Sequence, residues 1–223
     1  MLVALVDTLK QLRYQIAHLE DNTLQSEYPE LASFIQQVSL TVTESKADLN
    51  FLYQFLYVYG RKSEATYSRF RNELERFYLW SWLIAEKSVF DLKREDIEAY
   101  VDFMVEPDKK WASTSVQWRY KDEQGVRRLN QNWRPFMQKE SIASQQTLSA
   151  MFTALNVFYK FAILEEKTFA NFVPVVKKNS KNSMKINYDD KANSFFSPRS
   201  TGHPRTHVIK KENYYCFDKR NNG

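Results

Sequence analysis

Few side chains in this sequence are of a type and spacing that could do covalent or metal chemistry. Its three histidines are His18, His203 and His207, and its one cysteine is Cys216. His203, His207 and Cys216 are three potential ligands in a segment with no predicted helix to hold them and no fourth partner at a useful spacing, so no metal site is expected. Phosphate-cradling glycine loops are missing too, since the whole chain holds four glycines. Carboxylates are plentiful, but Glu73, Glu75, Asp91, Glu95 and Asp96 fit helix surfaces and helix first turns, where they complement the dipole in contact with solvent. No catalytic set, cofactor or metal is predicted.

What remains is electrostatic chemistry. In the stretch SEATYSRFRNELERFYLWSWL, residues 63 to 83, the residues Ala65, Arg69, Asn72 and Arg76 recur at i, i+4, i+7 and i+11, which puts them in one row on a helix, free for solvent or a ligand. A second group is the run 109 to 139, with eight Lys or Arg against Asp122 and Glu123 alone, a local excess of +6. Within it Arg127, Arg128, Arg134 and Lys139 could neutralise phosphates while neighbouring Trp or Tyr side chains brace the loop. The competing reading is that Trp133 and Phe136 plug the core and the charges only solubilise. A third group, Ser149, Thr153, Asn156 and Lys160, forms an uncharged-to-basic face suited to a groove.

These groups need helices to hold them. Leu2, Leu5, Val6, Leu9, Leu12, Ile16 and Leu19 recur at steps of three and four, predicting an amphipathic helix over the first twenty residues. Pro29 suits the first turn of a second, PELASFIQQVSL. A third, KADLNFLYQFLYVYG, begins near Asp48 and ends at Gly60, which is expected to form a left-handed cap. Ser63 then caps the helix of the arginine row, whose apolar seam is Tyr67, Phe70, Leu74, Phe77 and Tyr78. The segment 91 to 104 predicts a short helix packing through Ile97, Tyr100, Val101 and Met104. Residues 105 to 140 have no period but hold Trp111, Trp118 and Trp133, an argument against disorder. A long helix follows, with Leu148, Met151, Leu155, Phe158 and Ala162 along its apolar side. Residues 179 to 223 carry no sustained period and read as a poorly ordered basic tail.

The chain has 223 residues, 43% of them hydrophobic, with a net charge of +5. Residues 177 to 223 contribute eight Lys and three Arg against four acids, +7, leaving −2 for the rest. The overall basicity therefore belongs to the tail. The lone Cys216 argues for a reducing compartment. The start lacks a basic leader, and no segment reaches the ~18 consecutive apolar residues of a membrane span. A cytoplasmic protein without membrane contact is the expectation.

The run DLNFLYQFLYVYGRKSEATYSRFRNELERFYLWSWL, followed by SVFDLKREDIEAYVDFM, resembles the N-terminal core-binding domain of tyrosine recombinases, the phage-integrase family. Thr66, Tyr67, Arg69, Leu74, Arg76, Phe77, Trp80 and Leu83, then Leu92, Asp96, Ile97 and Tyr100, stand where that family's pattern has them. WRPF at 133 to 136 and NFVP at 171 to 174 continue the likeness over about residues 47 to 178. The resemblance implies an all-α, four-helix SAM-like bundle that clamps duplex DNA, with an N-terminal helical arm over 1–46 and the irregular tail over 179–223. It further implies that the second and fourth bundle helices meet the major groove. On this sequence those positions are Arg61, Lys62, Ser63, Thr66, Arg69, Asn72 and Arg76 on the one, and Lys139, Ser141, Gln145, Gln146, Ser149, Thr153 and Lys160 on the other. Lys and Arg would set phosphate register, and Asn72, Gln145 and Gln146 would reach base edges. Other recombinase protomers are implied as further partners. The family's catalytic domain, with its Tyr nucleophile, has no counterpart in the 45 residues after 178. No HxxR arrangement accompanies Tyr214 and Tyr215, so binding without strand cleavage is expected. The alternative is a helical protein-interaction module that uses the Trp-rich loop.

Overall fold

Residues 3–7 do not continue the helix that the N-terminal periodicity predicts. In the computed structural model, which describes residues 2–21, 23–137 and 145–180, they form a non-helical segment, and helix α1 (Leu9–Glu20) starts only after the extended Thr8. Four consecutive apolar side chains, Val3, Ala4, Leu5 and Val6, are fully buried. A surface helix would bury one face of this run, whereas a non-helical segment enclosed by the core buries all of it. Such a buried segment needs partners for its backbone, and here side chains supply them. The amides of Leu5 and Val6 donate to Glu75 Oε1 at 2.8 and 3.2 Å. The Leu5 carbonyl accepts from Tyr53 Oη and Gln15 Nε2, the Ala4 carbonyl from Tyr120, and the Asp7 carbonyl from Tyr67 Oη and Arg71.

Helices α2 (Leu24–Glu27) and α3 (Pro29–Val38) follow, with Pro29 in the first turn as expected. Helix α4 (Ser45–Phe55) runs on into a π-helical turn, Leu56–Gly60. Gly60 is not a left-handed cap, since Gly125 alone among the described glycines has positive φ. Gly60 is required instead by close approach: a Cβ there would stand 2.9 Å from Tyr67 Cδ2 and 3.3 Å from Tyr67 Cα. That contact seats the end of α4 on the start of α5 (Glu64–Trp80), which Ser63 caps by accepting from the Thr66 amide at 3.1 Å. A second π-helical turn, Ser81–Ala85, ends α5. Helix α6 (Arg94–Val105) opens with the Asp96 carboxylate accepting from the Lys93 amide and buries Ile97, Tyr100, Val101 and Met104, the four side chains predicted.

Helix α7 (Gln145–Leu164) closes the core. Its Phe158 meets Phe51, Phe55 and Tyr78 edge-on, and its Tyr159 meets Phe77. By length and composition α7 passes the test for a membrane span that the sequence reading found in no segment, but half of it is buried inside the protein. Its apolar side is spent on α4 and α5, while Ser149, Thr153 and Lys160 are exposed.

The aperiodic stretch between α6 and α7 adds strands that an all-α reading leaves out, within a fold that remains predominantly helical. After a 3-10 turn (Lys109–Trp111), β1 (Ala112–Ser113) pairs in parallel with β4 (Phe136–Met137). Between them β2 (Tyr120–Glu123) and β3 (Val126–Leu129) form an antiparallel hairpin. Its two-residue loop, Gln124-Gly125, has φ of 56° and 87°, the left-handed pair that a tight hairpin turn requires. The described residues belong to one compact unit, so the segment up to residue 46 packs within the same body as the helices that follow it.

One buried acid ties the helices together. Asp48 Oδ2 accepts from Trp82 Nε1 at 3.0 Å and from the Val89 amide, and its Oδ1 accepts from Ser88 Oγ at 2.8 Å. Burial, partly offset by these hydrogen bonds, raises its pKa above the usual carboxylate range. The native state then holds a proton more tightly than the unfolded chain, so this group's contribution to stability is full below the unfolded pKa and declines as pH rises through the folded one. Asp48→Asn can keep the acceptor toward Trp82 and Val89 while its amide donates to Ser88 Oγ. Relative to the wild type, this variant should gain stability as pH rises above the ordinary carboxylate range, read from urea midpoints. A pH-independent difference would count against the assignment.

Candidate nucleic-acid interface

The basic excess of residues 109 to 139 has an internal explanation. Arg127 donates Nε to Asp7 Oδ2 at 2.8 Å and Nη2 to Asp7 Oδ1 at 3.1 Å, a two-point pairing with a fully buried acid. Burial works to lower the Arg127 pKa, and the hydrogen bonds and charge of Asp7 more than reverse it. Arg119 donates both Nε and Nη2 to one oxygen, Glu75 Oε2, at 3.2 and 2.8 Å, and lies over the Trp133 ring. Arg128 meets Glu30 at 3.2 Å. Arg134 donates to the carbonyls of Gln131 and Trp133. Lys110 and Lys121 pair with Asp108 and Glu123. The excess exists because its counter-charges, Asp7, Glu30 and Glu75, lie elsewhere in the chain. Arg127, Arg128 and Arg134 are thus engaged within the protein, and Lys139 lies outside the described residues.

The arginine row on α5 is likewise only partly free. Ala65 and Arg69 are exposed, but the strands of the insertion cover the rest of the row. Arg76 donates Nε to the Pro135 carbonyl at 2.8 Å, meets Glu73 at 3.2 Å and sits over the Phe136 ring. Asn72 accepts from Arg119 at 2.8 Å. The expectation that Glu73 and Glu75 are solvated also fails, because both are buried. Burial raises the pKa of Glu73, opposed by Arg76 and then Arg69. Asp96, by contrast, holds its predicted first-turn place and pairs with Lys87.

At the start of α5 the polar groups Ser63 and Thr66 are occupied with capping, Ser63 Oγ also bonding Thr66 Oγ1 at 2.8 Å. Beside them Arg61 and Lys62 are exposed, Arg61 stacking over Tyr57 with 5.2 Å to the ring centroid. On α7, Gln145, Gln146, Ser149, Thr153 and Lys160 are exposed. Thr153 donates back to the Ser149 carbonyl, and Asn156 accepts from Asn171. Ser141, the tail histidines, Tyr214, Tyr215 and Cys216 lie outside the described residues.

Four predicted phosphate contacts therefore stand apart from the others: Arg61, Lys62, Arg69 and Lys160 are exposed and form no salt bridge among the described residues, although the charge of Arg69 acts on Glu73. No cluster able to hold a metal ion occurs among the described residues. Of the three Trp in the insertion, Trp111 and Trp133 are core and Trp118 is half exposed. The buried acid Asp7 is a structural residue that the sequence reading assigns no role, and Glu75 is one it places on a solvated helix surface. A signal existed, in an acid directly following four buried apolar residues and in the unbalanced arginines of the insertion. No protein-family model, curated protein or solved structure matches this chain.

Proposed function

We propose that the chain is a duplex-DNA-binding module of the kind found in site-specific tyrosine recombinases, acting in DNA integration or recombination without cutting DNA itself. In this reading α4, α5, α6 and α7 are the four helices of a SAM-like bundle, working in the cytoplasm, with other protomers of a recombination complex as partners. The observation that carries it is the contrast among cations. Arg119, Arg127 and Arg128, between α6 and α7, are paired with carboxylates inside the protein, whereas Arg61, Lys62, Arg69 and Lys160 are exposed and form no salt bridge among the described residues. Exposed charge with no internal partner is what phosphate binding uses, and the exposed Gln145 and Gln146 at the start of α7 supply amides for base edges.

The test is fluorescence anisotropy of the full chain with a labelled duplex over a salt series. Binding should weaken linearly in log salt. The triple variant R61A/K62A/R69A should melt like the wild type and lose ~0.9 of slope for each phosphate contact removed, about 3 in all. Absence of wild-type retention at low salt, or an unchanged slope in the triple variant, overturns the reading. A covalent protein–DNA adduct would restore an active recombinase. The interaction-module reading now rests on Trp118 and the exposed Val116 alone, since the other two Trp of the loop are buried.

A further inference from the structure

Helix α1 brings a cation beside the start of α5. Arg13 donates Nη2 to Tyr57 Oη at 3.3 Å, and its guanidinium carbon lies 5.6 Å from the centroid of that ring. Arg61 lies over the same ring at 5.2 Å. Two guanidinium groups from different elements thus share one aromatic side chain, and the two charges are no further apart than those distances laid end to end. Packing builds the arrangement. Leu12 and Gln15 are buried on α1 beside Arg13, and Gln15 Nε2 donates at 3.1 Å to the hydroxyl of Tyr53, four residues before Tyr57. The π-helical turn Leu56–Gly60, a distortion frequent at functional sites, carries Tyr57 beyond the end of α4. The close approach of Gly60 to Tyr67 then sets where the chain leaves that turn at Arg61.

Neither arginine is neutralised. Both are exposed, and neither forms a salt bridge among the described residues. Two acids stand near them. Glu64, in the first turn of α5, acts on Arg71, and Glu165 lines the same surface groove as Arg13 without pairing with it. Arg61 makes no hydrogen bond among the described residues and Arg13 makes one, so most N–H donors of each guanidinium are unspent. A cation over an exposed ring is held weakly, yet the effect is of the same small size as the screened repulsion of two like charges in water. The ring therefore offsets that repulsion and restricts both side chains before any ligand arrives.

We infer that Arg13 and Arg61, braced by Tyr57, form a phosphate clamp, and that α1 thereby belongs to the surface that meets the DNA backbone. The inference rests on the DNA-binding reading and extends it to Arg13, a residue that the sequence reading leaves outside the site. A guanidinium presents a planar fork of donors that matches phosphate oxygens, and a ring against its face leaves the donors at its edge available. A ligand whose charges repeat along a chain is favoured by continuity. The pair runs on through Lys62 into the exposed cations of α5, so one polyanion can meet them in succession. Tyr57 is a positioning residue in this arrangement, and the two arginines make the contact.

Anisotropy of the full chain with a labelled duplex over a salt series tests the clamp through Arg13→Ala. The position is exposed, so the variant should melt like the wild type, and its salt slope should fall by ~0.9, the loss of one phosphate contact. Tyr57→Leu, read at a temperature where it is folded, keeps both charges and should weaken binding at least ~threefold with the slope unchanged. Arg94→Ala removes an exposed cation already paired with Glu95 and Glu98, and should leave the slope where it is. An Arg13→Ala slope equal to that of the wild type, while R61A/K62A/R69A lowers it, overturns the clamp and leaves the DNA-binding reading standing. A wild type that is not retained on the duplex overturns both. An equal fall in Arg94→Ala would reduce the effect to net charge and overturns the clamp, as does Tyr57→Leu binding like the wild type. Saturable calorimetric binding of inorganic pyrophosphate, lost in Arg13→Ala, would assign the pair to a free phosphate compound and overturn the backbone assignment.

Discussion

Removing residues 1–7 is expected to unfold the body of the protein rather than to trim an arm from it. Val3, Leu5 and Val6 are fully buried, and each such side chain is worth roughly 1.5–3 kcal/mol of apolar burial. Their sum, an upper bound of about 4.5–9 kcal/mol, already rivals the ~5–15 kcal/mol total of an ordinary domain. The truncation also orphans the groups that serve this segment. Glu75 Oε1 loses both of its backbone donors, Tyr53 and Tyr67 lose the carbonyls they bond, and Arg127 loses Asp7. Urea titration followed by circular dichroism should show either no cooperative transition or a much reduced midpoint. A truncated chain that melts within a few degrees of the wild type would show that the segment is an appendage, as the division at residue 46 supposes.

The same segment shows where the sequence was legible and where it was not. Seams of helices that bury one face read well. Tyr67, Leu74, Phe77 and Tyr78 on α5, and Leu148, Met151, Leu155 and Phe158 on α7, are core as the 3.6-residue period predicts. Short apolar runs read poorly, because four consecutive buried residues satisfy a helix and an extended strand alike. Only the partners of their backbone groups decide, and these come from Tyr53, Tyr67, Glu75 and Tyr120 far along the chain.

The candidate site was legible to a similar degree. Periodicity located the row Arg69, Asn72 and Arg76 on one side of α5, but whether a side is free depends on what packs over it. A hairpin turn of Gln124-Gly125 was the available clue that the aperiodic stretch folds into strands. Local charge counts misled for a physical reason: a +6 segment is not a +6 surface when its counter-ions are contributed by residues 7, 30 and 75.

Arg127 separates a structural cation from a DNA-binding one, and its replacement carries the second large effect. Arg127→Met leaves the Asp7 carboxylate buried without its two strongest donors; Tyr28 Oη at 3.3 Å and the Thr8 amide remain. Breaking a buried pair from one side costs about 3–5 kcal/mol, which for a chain of this size lowers the melting temperature by roughly 2–4 °C per kcal/mol, ~6–20 °C in all. Asp7→Asn alone should be similarly damaging, since it leaves a guanidinium with a mismatched partner. The double variant D7N/R127M should recover much of the loss, because no buried charge is then uncompensated, and the coupling should exceed ~1 kcal/mol in a double-mutant cycle. Additive losses would mean that the two side chains act independently. The same proteins also test the candidate interface. At a temperature where Arg127→Met is still folded, its DNA affinity and salt slope should match the wild type, since a cation already committed to Asp7 neutralises no phosphate and displaces no counterion from DNA. A slope reduced by about 0.9 with little change in melting temperature would instead put Arg127 on the DNA.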